Sequence, residues 1–432
     1  MLKETILFLA LLPIVFAADS AVAQNSEGLD VQHYQVDLAI DLLNKHIEGN
    51  VRIDFSMTTA SDDVIFNCGQ LKVTAVKGRT VKGFKQQGEE LLISLSNVRN
   101  RDHHIRIYYE GFPSKGVFFS ADPLQVYTVF ATPEWMVCHT SPSDRATINL
   151  DLTFPDTLFC IANGELVTQT KKAEHQVKQT WSLQQPSPAF TYGFALGAFN
   201  ECKEHHQRIS LNYYAVNHKA AELKKIFSNT SDMLTFFEEK SGLPYFQTSY
   251  SQVLMGNHYQ EMSGFAVLKN IYGDLVLKDS TETNLISHEL AHQWWGIQMT
   301  CQNWNHFWLN EGFATYMSAA YNEHRFGKEK YIADITSYRA VYEKIKSKGQ
   351  DKPLVFKDWS SPSQDDRNLV YFKGAYVIHL LREHLGDELF WKAIKAYSTS
   401  YDGQSVTTEK FQEAIEKSSG KDLDVFFKEW IY

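Results

Sequence analysis

The chain predicts an α+β protein, an antiparallel β half followed by a mainly helical half, and a change of hydrophobic period along its 432 residues carries that prediction. From about Asp30 to Ala198 apolar and polar residues alternate with period two, between turn signals. From Ala220 onward apolar residues recur at i, i+3, i+4 and i+7, the stripe of a helix. No internal repeat or low-complexity tract interrupts either half.

The first element is an address. Lys3 precedes an apolar run from Ile6 to Ala18, and Ala21-Val22-Ala23 supplies the small residues a signal peptidase requires. Residues 1–23 therefore read as a signal peptide, with Gln24 as the mature start and an exported protein, periplasmic or secreted, as the consequence. The run is shorter than the roughly 20 apolar residues of a membrane span, so no span is expected after cleavage. A retained N-terminal anchor is the competing reading.

Residues 24–202 then form an N-terminal β domain. HYQVDLAIDLL, VRIDFSM, LLISLSNV, HIRIYYE and TINLDLTF each alternate as half-buried strands do. Residues 203–432 form the second domain. It opens on the strand-like RISLNYYAV, followed by one helix through Ala220, Leu223, Phe227, Thr230, Leu234 and Phe237, which Gly242 and Pro244 stop. A short β section through Gln252–Leu254 and Glu261 comes next. A helix from Asn284 to Trp295, closed by Gly296, leads to another that begins near Glu311. A polar loop spans Trp359 to Asn368, and helical segments through Tyr371, Phe390 and Phe411 complete the domain.

With 44% hydrophobic residues the chain is long enough to bury sizeable cores. A formal charge of -9 and the lack of an arginine-rich run exclude nucleic-acid binding by a broad basic surface. Five cysteines, Cys68, Cys138, Cys160, Cys202 and Cys301, match no metal or redox spacing, and an odd number leaves at least one without an intrachain partner. They read as small buried hydrophobes, with one disulfide among them left open.

The chemistry concentrates in HELAHQWW. On a helix, positions i and i+4 lie one above the other, so His288 and His292 can direct imidazole nitrogens at one metal ion. Glu289 cannot share that geometry but stands close enough to act as a general base on water activated there. A catalytic zinc needs a third ligand while keeping one position open. Glu311, in WLNEGFATY, follows His292 after 18 intervening residues. The adjacent pairs His103-His104 and His205-His206 read as solvated histidines, because neighbouring residues do not share a face.

HELAHQWWG followed by WNHFWLNEGFATY resembles the gluzincin zinc metallopeptidases related to aminopeptidase N and leukotriene-A hydrolase. The resemblance implies one zinc per chain, held by His288, His292 and Glu311, with Glu289 as general base. VYFKGAYVIHLL, from Val370 to Leu381, resembles that family's V-Y-x-K-G-A segment and gives Tyr371 the role of hydrogen-bond donor to the tetrahedral oxyanion. A donor aimed at that oxygen stabilises the transition state more than the ground state. The family's exopeptidases carry G-x-M-E-N before the zinc helix, where the glutamate binds the substrate's free α-amino group. Here the stretch is HYQEMSG: His258, Gln260 and Met262 replace Gly, Met and Asn, and Glu261 alone is retained. WMVCHTSPSDRATINL, IANGELV and FTYGFALGAFN resemble the family's saddle-shaped N-terminal domain, with Val137 and Thr140 departing from W-F-P-C-x-D-x-P. A glutamine that this domain usually contributes to the binding surface has no secure counterpart here. The resemblance thus implies a β saddle followed by a thermolysin-like catalytic domain. DLDVFFKEWIY resembles the close of that domain, which implies a short form lacking the family's C-terminal helical domain.

The expected function is a zinc-dependent aminopeptidase acting on peptides with a free N terminus. Two alternatives stay open from the sequence: a related zinc hydrolase with relaxed or endopeptidase register, and a non-catalytic peptide-binding protein with a structural metal. A homodimer covering an open cleft is an expectation of the same kind, which a monomer in light scattering would contradict.

Overall fold

The computed structural model describes residues 28–58, 61–96, 102–172, 175–356 and 362–432. The expected signal segment 1–23, the end of LLISLSNV at Asn97-Val98 and the start of the polar loop at Trp359 lie outside them.

Four of the five alternating segments lie in one seven-stranded sheet, and the described part of LLISLSNV, in the strand Glu90–Leu95, lies in a three-stranded one. The seven strands run in the order Glu165–Lys171, Gln176–Pro188, Arg145–Pro155, Leu29–Asp41, His46–Met57, Asp102–Gly111 and Lys72–Lys77. Neighbours are antiparallel except for Leu29–Asp41 with Arg145–Pro155, which are parallel. The period-two reading gives the register directly: Tyr34, Val36, Leu38 and Ile40 face one core, and the residues between them face outward. The three-stranded sheet and a four-stranded one complete this half. Cys68, Cys138 and Cys160 are buried in its core, and none of the five cysteines is in a disulfide.

The second core is built on a five-stranded sheet, Asn200–His206, Ile209–Ala215, Ser249–Leu254, Phe265–Leu268 and Gln260–Met262 in spatial order. Gln260–Met262 is thus an edge strand. Asn200–His206 belongs to this sheet and spans residues 202 and 203. Asn284–Ala291 packs against this sheet, Trp308–Phe326 packs in turn on Asn284–Ala291 and on Gly374–Leu385, and Asp387–Ser400 lies against Gly374–Leu385.

Three sequence expectations are corrected. The single helix expected through Ala220 to Phe237 is two, Ala220–Ile226 and Thr230–Ser241. Phe227 leaves the first to stack on Tyr213 at 4.8 Å, and Thr230 starts the second with its hydroxyl donating to Gln252. The second does stop at Gly242, which takes a left-handed φ of 74°. The helix expected to reach Trp295 ends at Ala291. Beyond it, the amides of Ile297, Gln298 and Met299 bond carbonyls five residues back, while Trp294 and Trp295 anchor their indoles on Leu243 and Ser398. Gly296 lies in that coil and is not the helix cap. Within the expected polar loop, Gln364–Asn368 is a short helix, capped by Ser363 and Asp366.

Candidate active site

Local backbone chemistry sets the two histidines. Ser287 returns its hydroxyl to the Thr283 carbonyl at 2.8 Å, and Thr283 donates to Asn322 at 2.6 Å, pinning the start of the helix. One turn then brings the Nε2 atoms of His288 and His292 to 3.0 Å, with the rings at 89°. Glu311 comes from the first turn of Trp308–Phe326, and its Oε2 stands 3.4 Å from each Nε2. The other ring nitrogens are held from behind, His292 Nδ1 by the Trp295 carbonyl at 3.1 Å and His288 Nδ1 beside the Thr315 hydroxyl at 3.4 Å. Gly296 is required here: φ is 145°, and a Cβ would sit 2.7 Å from His292 Nδ1.

These residues fit a zinc ion. Nitrogen and oxygen ligands at zinc distances stand about 3.3 Å apart along the edges of a tetrahedron, and the three donor atoms here are separated by 3.0, 3.4 and 3.4 Å. Both oxygens of Glu311 are buried and accept no hydrogen bond, a costly arrangement for a carboxylate without a cation.

Charge leads to the same conclusion. Glu289 and Glu261 lie with His292 in a group whose ligand atoms are all within 4.8 Å of one another. Burial, then the Glu261 charge, pushes the Glu289 carboxyl well above the usual range. Burial raises Glu261 to about 7, against the pull of His292. For Glu311 burial is outweighed by the His292 charge and by the contacts from both imidazoles, which hold it down at about 2. The two imidazoles divide: burial lowers His288 to about 4, whereas on His292 burial is overcome by Glu261 and Glu311, which raise it to about 10. Both touch Glu311, but imidazoles this close cannot both be charged, and His292 is the one that also faces Glu261. Three buried carboxylates packed against two imidazoles make a site that a divalent cation would neutralise.

Tyr371 enters from the far side, on a π-helical turn, Leu369–Lys373. Its ring lies 5.8 Å from that of His288, at 14°. Burial, then the Glu311 charge, raises its phenol well above the ordinary range, so it stays a proton donor. The turn is fixed at its exit, where the Lys373 ammonium donates to Asp351 and to the Lys352 carbonyl, both at 2.8 Å. The next residue, Gly374, lies directly against Gly312 of the Glu311 helix.

All six sequence-derived site residues, His288, Glu289, His292, Glu311, Tyr371 and Glu261, therefore come together in one buried volume. The histidine pairs lie elsewhere, and the expectation of solvated rings is corrected for His103, which is buried and stacks on Phe55, while His104 bonds Asp54 and His206 bonds Ser231. Sequence reasoning missed Thr315 and Gln293. Gln293 has the one signal that was available, its place directly after His292. It bonds the Met262 carbonyl at 3.0 Å and the Gly264 amide at 3.1 Å, joining the histidine helix to the Glu261 strand.

With that geometry in place, comparison with known proteins places the chain. Residues 30–192 match the peptidase M1 N-terminal domain, and residues 226–430 match the peptidase family M1 domain. A probable aminopeptidase 2 of Sulfurisphaera tokodaii is 22% identical over 430 residues, covering 93% of this chain and 53% of that protein. Aminopeptidase M1 of Arabidopsis thaliana is 25% identical over 310 residues, covering 68% of this chain and 35% of its own. The chain thus spans between about a third and a half of the curated relatives it matches. Among solved structures, an M1 zinc metallopeptidase from Deinococcus radiodurans superposes with a TM-score of 0.77 at 21% identity, covering 94% of this chain and 93% of that one. A mutant of the same enzyme bound to a Tyr-Ser-Ala substrate gives 0.78 at 22% identity, with 94% of each chain covered. Both halves of the sequence, and the order in which they occur, assign the chain to peptidase family M1.

Proposed function

We propose that the chain is a zinc-dependent aminopeptidase that removes the N-terminal residue of a peptide, with residues 24–202 as its N-terminal domain and 203–432 as its catalytic domain. The observation that carries the register is Glu261, a buried carboxylate whose Oε1 accepts no hydrogen bond and which lies beside Glu289 and His292. A carboxylate there pairs with the substrate's ammonium group, so the bond presented for cleavage is the first one. The Tyr-Ser-Ala complex of the Deinococcus relative supports a short peptide as substrate.

His288, His292 and Glu311 would hold the zinc. When bound, the ion supplies Lewis-acid polarisation of the scissile carbonyl and lowers the pKa of water. Glu289 takes the proton of the attacking water and delivers it to the leaving amine, a role its partnerless Oε2 suits. Tyr371 donates its phenolic hydrogen to the oxygen on which charge accumulates. His288 and His292 keep their nitrogens oriented through Thr315 and the Trp295 carbonyl.

The test is a panel of aminoacyl-coumarins and N-acetylated peptides, assayed with and without chelator, alongside Glu289→Gln. Free-amine substrates are hydrolysed, chelator abolishes the activity and zinc restores it, and Glu289→Gln lowers kcat by about 10²–10⁴. Equal hydrolysis of blocked peptides would overturn the aminopeptidase register. No hydrolysis by zinc-loaded protein would identify a binding protein instead.

The proposed setting is outside the cytosol, on the strength of Lys3, the apolar run to Ala18 and Ala21-Val22-Ala23. Among the described residues no helix is long and apolar enough to cross a membrane. N-terminal sequencing of exported protein should begin at Gln24, and an intact Met1 would contradict cleavage.

A further inference from the structure

The strand that carries Glu261 is only three residues long and lies at a sheet edge, with Phe265–Leu268 as its single ladder partner. So short an edge strand has little backbone pairing to hold it still. Its side chains supply the rest. Residues alternate across a strand, so with Glu261 on the face toward His292 and Glu289, Gln260 and Met262 fall on the other. That second face meets the N-terminal half of the molecule.

Gln260 is buried, and its amide is used at both ends. Its Oε1 accepts a short hydrogen bond from the Phe130 amide, and its Nε2 donates to the Phe190 carbonyl at 2.9 Å. Phe130 sits at a φ of 52°, a conformation that a bulky L residue adopts only when its surroundings impose it. Gln260 therefore binds the amide of a strained turn just beyond the strand Leu124–Thr128. On the far side of Glu261, Asn163 donates from one amide nitrogen to the carbonyls of Thr191 and Ser263, both at 2.9 Å, and the Ser263 amide donates to Thr191 at 3.1 Å. Glu261 is thus bracketed by contacts from residues distant in sequence. The methionine that the family pattern has at position 260 offers no donor and no comparable acceptor, so in this chain the half of the bracket that precedes Glu261 depends on Gln260.

We propose that Gln260 is a positioning residue for Glu261. Its buried amide sets the edge strand against the N-terminal domain and so determines how strongly the protein prefers a free over a blocked N terminus. This rests on the reading of Glu261 as the acceptor for the substrate's ammonium group. Through Gln260 the N-terminal domain becomes part of the register device, and Gln293 joins the same strand to the histidine helix.

The experiment compares Gln260→Met, Gln260→Asn and Glu261→Ala with the parent protein. Each is assayed on a free aminoacyl-coumarin and its N-acetyl counterpart, with zinc content and melting temperature recorded. Gln260→Met keeps the bulk and loses both hydrogen bonds. Gln260→Asn keeps a buried amide one methylene too short to span Phe130 and Phe190, and it supplies the readout if the methionine variant does not fold. The expected result is a KM for the free substrate raised about tenfold, a free-over-blocked preference reduced by a similar factor, and little change in kcat per bound zinc. A purely structural role would instead lower the melting temperature and the active fraction while leaving KM and the preference where they were, and that result overturns the proposal. A preference lost in Glu261→Ala but intact in both Gln260 variants also overturns it, with Glu261's role left standing. A preference intact in Glu261→Ala overturns the role of Glu261 and this proposal together.

Discussion

Replacing Gly374 by alanine puts a methyl group where the Glu311 helix and the helix after Tyr371 touch backbone to backbone. The new Cβ would lie 3.0 Å from the Gly312 α-carbon, and an alanine at Gly312 would meet the Gly374 α-carbon at the same distance. Neither contact involves a side chain that could rotate away. Ordinary carbon contacts are about 3.5–4.0 Å, so the helices must separate by roughly 0.5–1 Å. Overpacking of this kind costs about 1–3 kcal/mol, and the better helix propensity of alanine returns about 1 kcal/mol. The net destabilisation is therefore only about 0–2 kcal/mol, or at most about 8 °C in melting temperature for a domain of this size. Activity should suffer far more. Glu311 lies one residue before Gly312, and Tyr371 three before Gly374, so the separation moves a metal ligand and the oxyanion donor apart. Misplacement by about 1 Å can cost on the order of 100-fold. Scanning fluorimetry, zinc content and kcat/KM on an aminoacyl-coumarin measure the two effects, with Gly83→Ala as control, since a Cβ there meets nothing within 4 Å. A kcat/KM within threefold of the parent protein would refute the reasoning.

Tyr371→Phe removes one hydroxyl and leaves the ring beside His288 in place. The expected result is a kcat lower by about 10²–10³ with little change in KM or melting temperature, and a kcat within tenfold of the parent would remove the oxyanion role. Asp144 offers a test remote from the metal. Burial pushes its carboxyl up to about 7, while one oxygen accepts from the Val31 amide at 2.9 Å and the other has no partner. A folded pKa above the unfolded value gives stability that is complete below about 3.8 and is lost as pH rises through about 7. Asp144→Asn keeps the Val31 acceptor and cannot ionise, so its melting temperature should exceed the parent's at pH 8, by up to about 4 kcal/mol in stability, and match it near pH 4. A gain confined to pH 4 would contradict the sign.

Much of the fold was legible because its cause is local. Tyr34, Val36, Leu38 and Ile40 announce a strand with one buried face, and the structure pairs that strand on both sides. The four-residue spacing of His288 and His292 implies convergent imidazoles on any helix, and the structure brings their nitrogens to 3.0 Å. What failed to show were interruptions imposed from outside. The break at Phe227 depends on Tyr213, and the end of the histidine helix at Ala291 depends on where two indoles find partners. Neither partner is visible in the run of residues that it interrupts.

The sequence by itself determined the residue types of the site: two imidazoles one turn apart, a carboxylate between them, a second glutamate on the next long helix and a tyrosine before Lys373-Gly374. Only the spacing of the two imidazoles and Glu289 acts through local backbone geometry; Glu311 and Tyr371 take their roles from the family resemblance. Tertiary structure decided which of these groups meet and how firmly they are held. Glu261 and Glu289 are 28 positions apart in sequence, and only the packing of an edge strand against a helix brings them to one place. The Gly312–Gly374 crossing and the Gln260 contacts to Phe130 and Phe190 are of the same kind. They join segments separated by 60 or more positions, where neither periodicity nor spacing carries information and only the closing of the core selects the partner.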